Sequence, residues 1–545
     1  MIIEGNLVDI FNRIIYPGKI TVENDLIVKV EKTNLSYSNY ILPGLVDSHV
    51  HIESSMLVPS RFAELVVPRG TIGVVSDPHE IANVLGVKGV EYMMDDAEKV
   101  PLKCFFGVPS CVPATDFESA GSRIDSEDVE YLLKKGAPFL AEMMNFPGVI
   151  YKDEQVWNKL NLAQKYKVPI DGHAPGLKGE DLVKYSKGGI TTDHESFSIE
   201  EALEKIKLGI KTQIREGSAA RNFEALHELI VKEPYNTMLC TDDSHPDLII
   251  AKGHIDRLIR LGLSKGYSIF DMYQVAVINP VKHYNLPIGL LREGDKADFI
   301  SVDSLESFNV LATYIDGIKV AEEGEVLFDV PKTTIINNFN CEPLSSNDLE
   351  IKGPTANSKV KVMVADDGEL LTDEYIWETN CEPGDSLQSS VKDDILKIVV
   401  VNRYSTAKPV VGFIKNFGLK QGALASSVAH DSHNIVAIGC DDESLLTAIN
   451  GIIESKGGII ACNSEVKKLL KLPVAGLMSA DSGVKIAQEY TEINDFVKLM
   501  GCDMKAPFMT LAFMSLLVIP SLKIGDKGLF DVNKFAFTSL FVDEK

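Results

Sequence analysis

Several things are scarce in this 545-residue sequence, and each scarcity excludes a class of protein. There are eight cysteines, at 104, 111, 240, 341, 381, 440, 462 and 502, and no CxxC pair. That spacing gives neither a disulfide framework nor a thiolate zinc site, and it fits a reducing compartment. Positive charge is the minority sign, with 54 Lys and Arg against 78 Asp and Glu and a formal charge of -24. A chain this acidic repels a phosphate backbone unless it carries a dense basic patch; none is visible, so nucleic acid is not an expected partner. The first twenty residues lack a basic region followed by a continuous apolar one, so no export signal is expected. Ala506 to Leu522 is an uncharged apolar stretch, but at 17 residues with a proline near each end it falls short of a bilayer span. It reads as a buried helix, with no membrane contact and a cytoplasmic location expected. The rest, 45% hydrophobic and 24% charged, is ordinary globular composition, and the length suggests three or four domains.

The first forty residues alternate short β-rich runs (LVDIFN, GKITVEN, DLIVKVEK) with turn signals, as a small antiparallel sheet does. From Pro43 onward, apolar runs of strand length end in polar residues, and each is followed by a segment long enough for a helix. GLVDSHVH, TIGVVSDPHE, CFFGVPSC, PFLAEMMN, VPIDGHAP, GITTDHES, KTQIREGS and TMLCTDDS make eight such units, the count of a (β/α)8 barrel. No Gly-rich phosphate loop follows the early strands, which disfavours an open doubly wound sheet. The expected class is therefore α/β, with a barrel at 43–287 inserted in a small β domain made of 1–42 and 288–330. A connector at 331–360, rich in Asn, Ser, Thr and Pro, leads to a C-terminal α/β domain at 361–545.

Only eleven histidines are present, and four of them end proposed barrel strands: His49, His51, His173 and His194. In such a barrel the C-terminal strand ends share one mouth, so residues far apart in sequence meet there. The i, i+2 spacing of His49 and His51 points both imidazoles to one side of a strand. A lone HxH is common by chance. Joined to single histidines ending strands five and six and the pair Asp242–Asp243 ending strand eight, it indicates a metal site. Asp242 suits a ligand that also shuttles protons, and Asp243 a supporting hydrogen bond. Glu142 stands among apolar residues in strand four, where an unpaired carboxylate is costly; bridging two metals would satisfy it.

This constellation, with LPGLVDSHVHIE before it and PIGLLREGDKADFISVD after the barrel, resembles the amidohydrolase superfamily. PRGTIGVVSDPHEIANVLG, FLAEMMNFPGVI, DGHAPGL, DHES, IREGSAARN and LCTDD, with AHDSHNIVAIG and SLLVIPSLKI farther on, carry the likeness to adenine deaminases of the bacterial type, over essentially the whole chain. The resemblance implies hydrolysis of adenine to hypoxanthine and ammonia at a binuclear centre of Mn2+ or Fe2+, with Zn2+ also permitted by the donor types. It implies His49, His51, Glu142, His173, His194 and Asp242 as ligands, Asp242 and Glu142 as the catalytic carboxylates, and a homodimer or other homo-oligomer. Where many superfamily members bridge their metals with a carboxylated lysine, strand four here offers Glu142. Ser244 stands where some relatives carry a basic residue.

The alternatives are an amidohydrolase acting on a cyclic amide or N-acyl substrate, and a metal-free binding protein on the same barrel. The zinc deaminase signature HxE with PCxxC is absent, which excludes the cytidine-deaminase class. Asp77 and His79 ending strand two, and Arg215 and Ser218 ending strand seven, are candidates for reading the purine or for supporting the ligands. Glu53 and Ser54 are candidates for orienting a ligand or a loop. His430-Asp431-Ser432-His433-Asn434, a polar cluster between apolar runs, is expected as a loop near the barrel mouth, in the same chain or a partner subunit; a metal chelate of the two histidines and a remote solvated turn are the alternatives.

Overall fold

A computed structural model describes residues 1–542. Eight parallel strands form the barrel: β1 (Leu45–His51), β2 (Thr71–Ser76), β3 (Lys103–Phe106), β4 (Leu140–Met143), β5 (Ile170–Gly172), β6 (Thr192–Asp193), β7 (Lys211–Arg215) and β8 (Thr237–Cys240). β1, β2 and β3 pair in order, as do β4 with β5 and β6 with β7 and β8. Single contacts complete the ring. Val108, just past β3, bridges Leu140, and the Thr191 amide donates to the Ile170 carbonyl at 2.8 Å. Asp242 and Asp243, immediately after β8, pair with Val50 and His51 of β1 and close the seam.

Parallel barrel strands are covered on both faces, and every residue of β1 and β2 is buried, the two histidines of β1 included. Outside them pack helices with ordinary sequence signals. Ser126–Lys134 begins at Asp125, whose carboxylate accepts from the Glu127 and Asp128 amides while Asp128 reaches back to the Asp125 amide.

The chain before and after the barrel builds one eight-stranded sheet. Its order is Glu325–Val326, Ile318–Glu322, Val310–Ile315, Phe299–Val302, Tyr40–Pro43, Ile2–Asp9, Ile14–Glu23 and Leu26–Lys32, so the two halves meet where Tyr40–Pro43 lies against Phe299–Val302. A second eight-stranded sheet, from Lys359–Ala365 to Lys467–Lys471, forms the C-terminal part, with Asp442–Ser455 packed on it. That part is sewn to the barrel mouth. Val58, beyond β1, donates to the Ser479 carbonyl at 3.1 Å, Ser479 returns a bond to Met56 at 2.7 Å, and Arg61 Nε reaches the Ala480 carbonyl at 2.9 Å.

One expectation needs correction. The apolar stretch 506–522 is buried but is not one helix: Pro507–Phe513 is helical, turns follow, and Leu522 opens the strand Leu522–Gly525. Pro520 cannot continue a helix, and Leu522 pairs instead with Asp531 of Gly528–Asp531. Among the described residues, no helix is long and apolar enough to cross a membrane.

Candidate metal centre

The strand ends deliver four imidazoles and two carboxylates to one buried spot. His51 Nε2 lies 3.1 Å from Asp242 Oδ1 and 3.4 Å from Glu142 Oε1, and His49 Nε2 lies 3.4 Å from the same Asp242 oxygen. On the other side, Glu142 Oε2 stands 2.8 Å from His173 Nδ1 and 3.2 Å from His194 Nε2. Glu142 thus turns one oxygen to His51 of β1 and the other to the histidines following β5 and β6. His49 and His194 stack across the site with centroids 4.1 Å apart.

These donors fit a divalent cation. They are imidazole nitrogens and carboxylate oxygens without a thiolate, and sets such as His49–Glu142–His194 and His49–His51–Asp242 place their atoms within 4.8 Å of one another. His51 Nδ1 faces the Asp77 carbonyl at 3.0 Å; donating there leaves the Nε2 lone pair aimed at two carboxylates, a repulsive arrangement unless a cation lies between. Neither ring nitrogen of buried His49 has a hydrogen-bond partner, and Nδ1 of His194 also lacks one.

Arg215 sits beneath this cluster, 2% exposed, a figure that leaves it closed to solvent. Its Nη1 donates to Asp242 Oδ2 at 2.7 Å and also pairs with Glu195. Burial pushes the Asp242 carboxyl up, but Arg215 and the facing histidines together hold it well below the usual range. Asp77 and His79 come to the same spot: His79 Nδ1 is 3.1 Å from Asp77 Oδ2 and 3.5 Å from Glu142 Oε1. The Ser218 amide donates to the Asp243 carbonyl at 2.8 Å, and its hydroxyl accepts from the His245 amide at 2.8 Å, beside a cleft of about 380 Å³ that Tyr490 and Lys505 also line. Ser54 donates to Asp243, and Glu53 accepts from the Ile81 amide at 3.2 Å, tying the loop after β1 to its neighbours.

Two acids were not picked out from sequence. Glu195 lies 3.4 Å from His194 Nε2, and its signal was its place directly after that histidine in DHES. Glu80 opens the helix His79–Leu85 and meets His430 Nδ1 at 2.5 Å and His433 Nε2, so the polar loop of the C-terminal part reaches the barrel mouth of its own chain.

A closed (β/α)8 barrel with this donor set at its C-terminal strand ends is the arrangement of an amidohydrolase, and residues 40–320 match the Amidohydrolase family. Residues 369–536 match the adenine deaminase C-terminal domain. The sequence is 54% identical to adenine deaminase of Methanosarcina acetivorans, with 99% of both chains covered. It is 53% identical to the adenine deaminase of Methanosarcina barkeri and 48% identical to that of Salinibacter ruber, again with 99% of each chain covered. The chain belongs to the adenine deaminases of the amidohydrolase family. Amidohydrolases generally use a divalent metal, and the buried His, Asp and Glu cluster is where this chain can hold one.

Proposed function

We propose that the chain hydrolyses adenine to hypoxanthine and ammonia at two divalent cations held by His49, His51, Glu142, His173, His194 and Asp242. The observation that carries this reading is the position of Glu142 between two sets of imidazoles, in a chain related end to end to adenine deaminases. When bound, the cations supply the Lewis acidity that makes water nucleophilic near neutral pH. Glu142, with one oxygen toward His51 and the other toward His173, would help to hold them. Asp242 takes the proton released as water adds to C6 and passes it to the exocyclic nitrogen. The C6–N bond breaks, ammonia leaves, and the second water proton passes from the new C6 oxygen to ring N1, giving hypoxanthine. Arg215 holds Asp242 Oδ2, so it serves the reaction by orienting and ionising that carboxylate rather than by touching the purine. Asp77 and His79, beside Glu142, are placed to face the substrate or to steady the ligands.

Nitrogen and oxygen donors suit Mn2+ and Fe2+ and admit Zn2+; we take Mn2+ as the resident ion. Eight free cysteines support a cytoplasmic location, and the family likeness supports a homodimer. We propose the division into 1–42 with 288–330, 43–287, 331–360 and 361–545, which the sheet flanking the barrel and the separate C-terminal sheet support. Ammonia release from adenine by metal-loaded protein tests the function. Turnover of a cyclic amide or N-acyl substrate with none of adenine would replace it by another amidohydrolase activity.

A further inference from the structure

The loop 430–434 is tightly braced yet leaves one carboxylate oxygen without a partner. Tyr404 donates its hydroxyl to the Ser432 carbonyl at 2.6 Å, and Asn434 Nδ2 reaches the Ser119 carbonyl of the barrel at 2.8 Å. Glu80 is gripped from both sides by His430 and His433. His433 Nδ1 accepts the Ala429 amide at 3.2 Å, so its neutral ring carries the proton on Nε2, facing Glu80. No lone pair is then left on the His433 ring for a cation, whereas Asp431 stands with His79 and Glu80 in one close group of possible donors. Between the two histidines, Asp431 is 3% exposed; its Oδ1 stands 4.0 Å from His79 Nε2, and its Oδ2 has no partner. The opposite nitrogen of His79 is 3.5 Å from Glu142, so Asp431 lies one imidazole from that carboxylate.

A buried carboxylate oxygen left unpaired is costly, and a fold that braces it so firmly has positioned it for a donor from outside the chain. Adenine offers such a donor in its ring N–H. On the reading that adenine is the substrate, we propose that Asp431 is a substrate-contacting carboxylate that accepts the purine ring N–H, with Glu80, His430 and His433 as the brace that holds it at the mouth. The C-terminal part then completes the active site by supplying the wall that recognises the heterocycle, while the barrel supplies the chemistry.

The test compares Asp431→Ala and the isosteric Asp431→Asn in metal-loaded, full-length protein. Calorimetry with hypoxanthine reads binding without turnover, and steady-state rates are taken with adenine and with 7- and 9-methyladenine, which lack the ring N–H. Losing a charge-assisted hydrogen bond should weaken hypoxanthine binding and raise KM for adenine by at least about tenfold. Discrimination between adenine and the methylated rings should shrink by a similar factor, with metal content per chain unchanged. Unchanged affinity and discrimination in a folded variant would overturn the assignment, and so would loss of metal, which would make Asp431 a ligand. If the unmutated protein releases no ammonia from adenine, the functional reading fails, and that failure is visible before any variant is made.

Discussion

Lys205 and the metal-ligand cluster are both buried knots of charge, but only the first contains all the cations it needs. Lys205, from the helix Ile199–Lys207 after β6, donates to Asp193 Oδ1 at 2.6 Å and the Ala174 carbonyl at 2.9 Å, and it pairs with Glu201 at 3.0 Å. The remaining acceptors are served by backbone: Asp193 Oδ2 takes the Ala174 amide at 2.9 Å and Glu201 Oε2 the Phe197 amide at 3.4 Å. At the mouth, Glu142, Asp242 and Glu195 crowd together against the Arg215 guanidinium, and neither ring nitrogen of His49 has a hydrogen-bond partner. Completed hydrogen bonding marks a cluster that supports the fold. Unanswered donors and acceptors mark one built around something added later. The two are joined through the chain, because Asp193, fixed by Lys205, precedes His194 and Glu195.

The contrast can be broken most severely by taking away what the open cluster lacks. Chelation should abolish ammonia release, lower Tm and leave far-UV dichroism nearly intact, and readdition of Mn2+ should restore both properties. Activity that survives verified loss of metal would remove the distinction between the clusters. Next in size is Lys205→Met, which strands Asp193 and Glu201 in the interior and should cost about 3–5 kcal/mol by urea unfolding. Burial opposes the charge on Lys205, but Asp193 and Glu201 raise its pKa above the ordinary lysine value. Its contribution is therefore complete below that ordinary value and is lost only as pH climbs through the raised one. The difference between wild type and variant should accordingly stay constant from pH 6 to 9.

Asp242→Asn should keep substantial metal, since the histidines and Glu142 remain, yet lose at least about a hundredfold in kcat. Metal analysis beside the ammonia assay decides this, and near-normal turnover would exclude the proton-shuttle role. Replacing both His430 and His433 with alanine should have the smallest effect on turnover, about tenfold in kcat/KM, with metal content close to wild type and a lowered unfolding midpoint, because buried Glu80 loses both partners. Loss of metal in that variant would place the loop histidines with the ligands instead of the brace.

The barrel was legible because each strand ends in polar residues that have no other reason to follow an apolar run. Even β6, two residues long, announced itself through DHES. The histidines and acids that converge were readable for the same reason: the fold dictates that strand ends meet. Contacts that the barrel rule does not govern were harder to read. Nothing local pairs Glu80 with His430 and His433, some 350 residues away, and Glu195 hid beside a more conspicuous histidine. Arg215, which ends a strand, could be read either as a purine contact or as a support for the ligands, and nothing in the sequence alone pairs it with both Asp242 and Glu195. The stretch 506–522 misled through hydrophobicity alone, which reports burial but not whether the buried backbone is helix or strand.

The seam of the barrel has a consequence for synthesis. β1 is the first barrel strand to leave the ribosome, and it carries His49 and His51, but the partner that aligns them with Asp242 is the segment after β8, about 190 residues later. Until that segment docks, a nascent chain offers a two-imidazole chelate that any free cation can occupy and leave. On the proposed ligand set, secure metal uptake has to wait for the ring to close, and the event that finishes the barrel is also the one that completes the pocket.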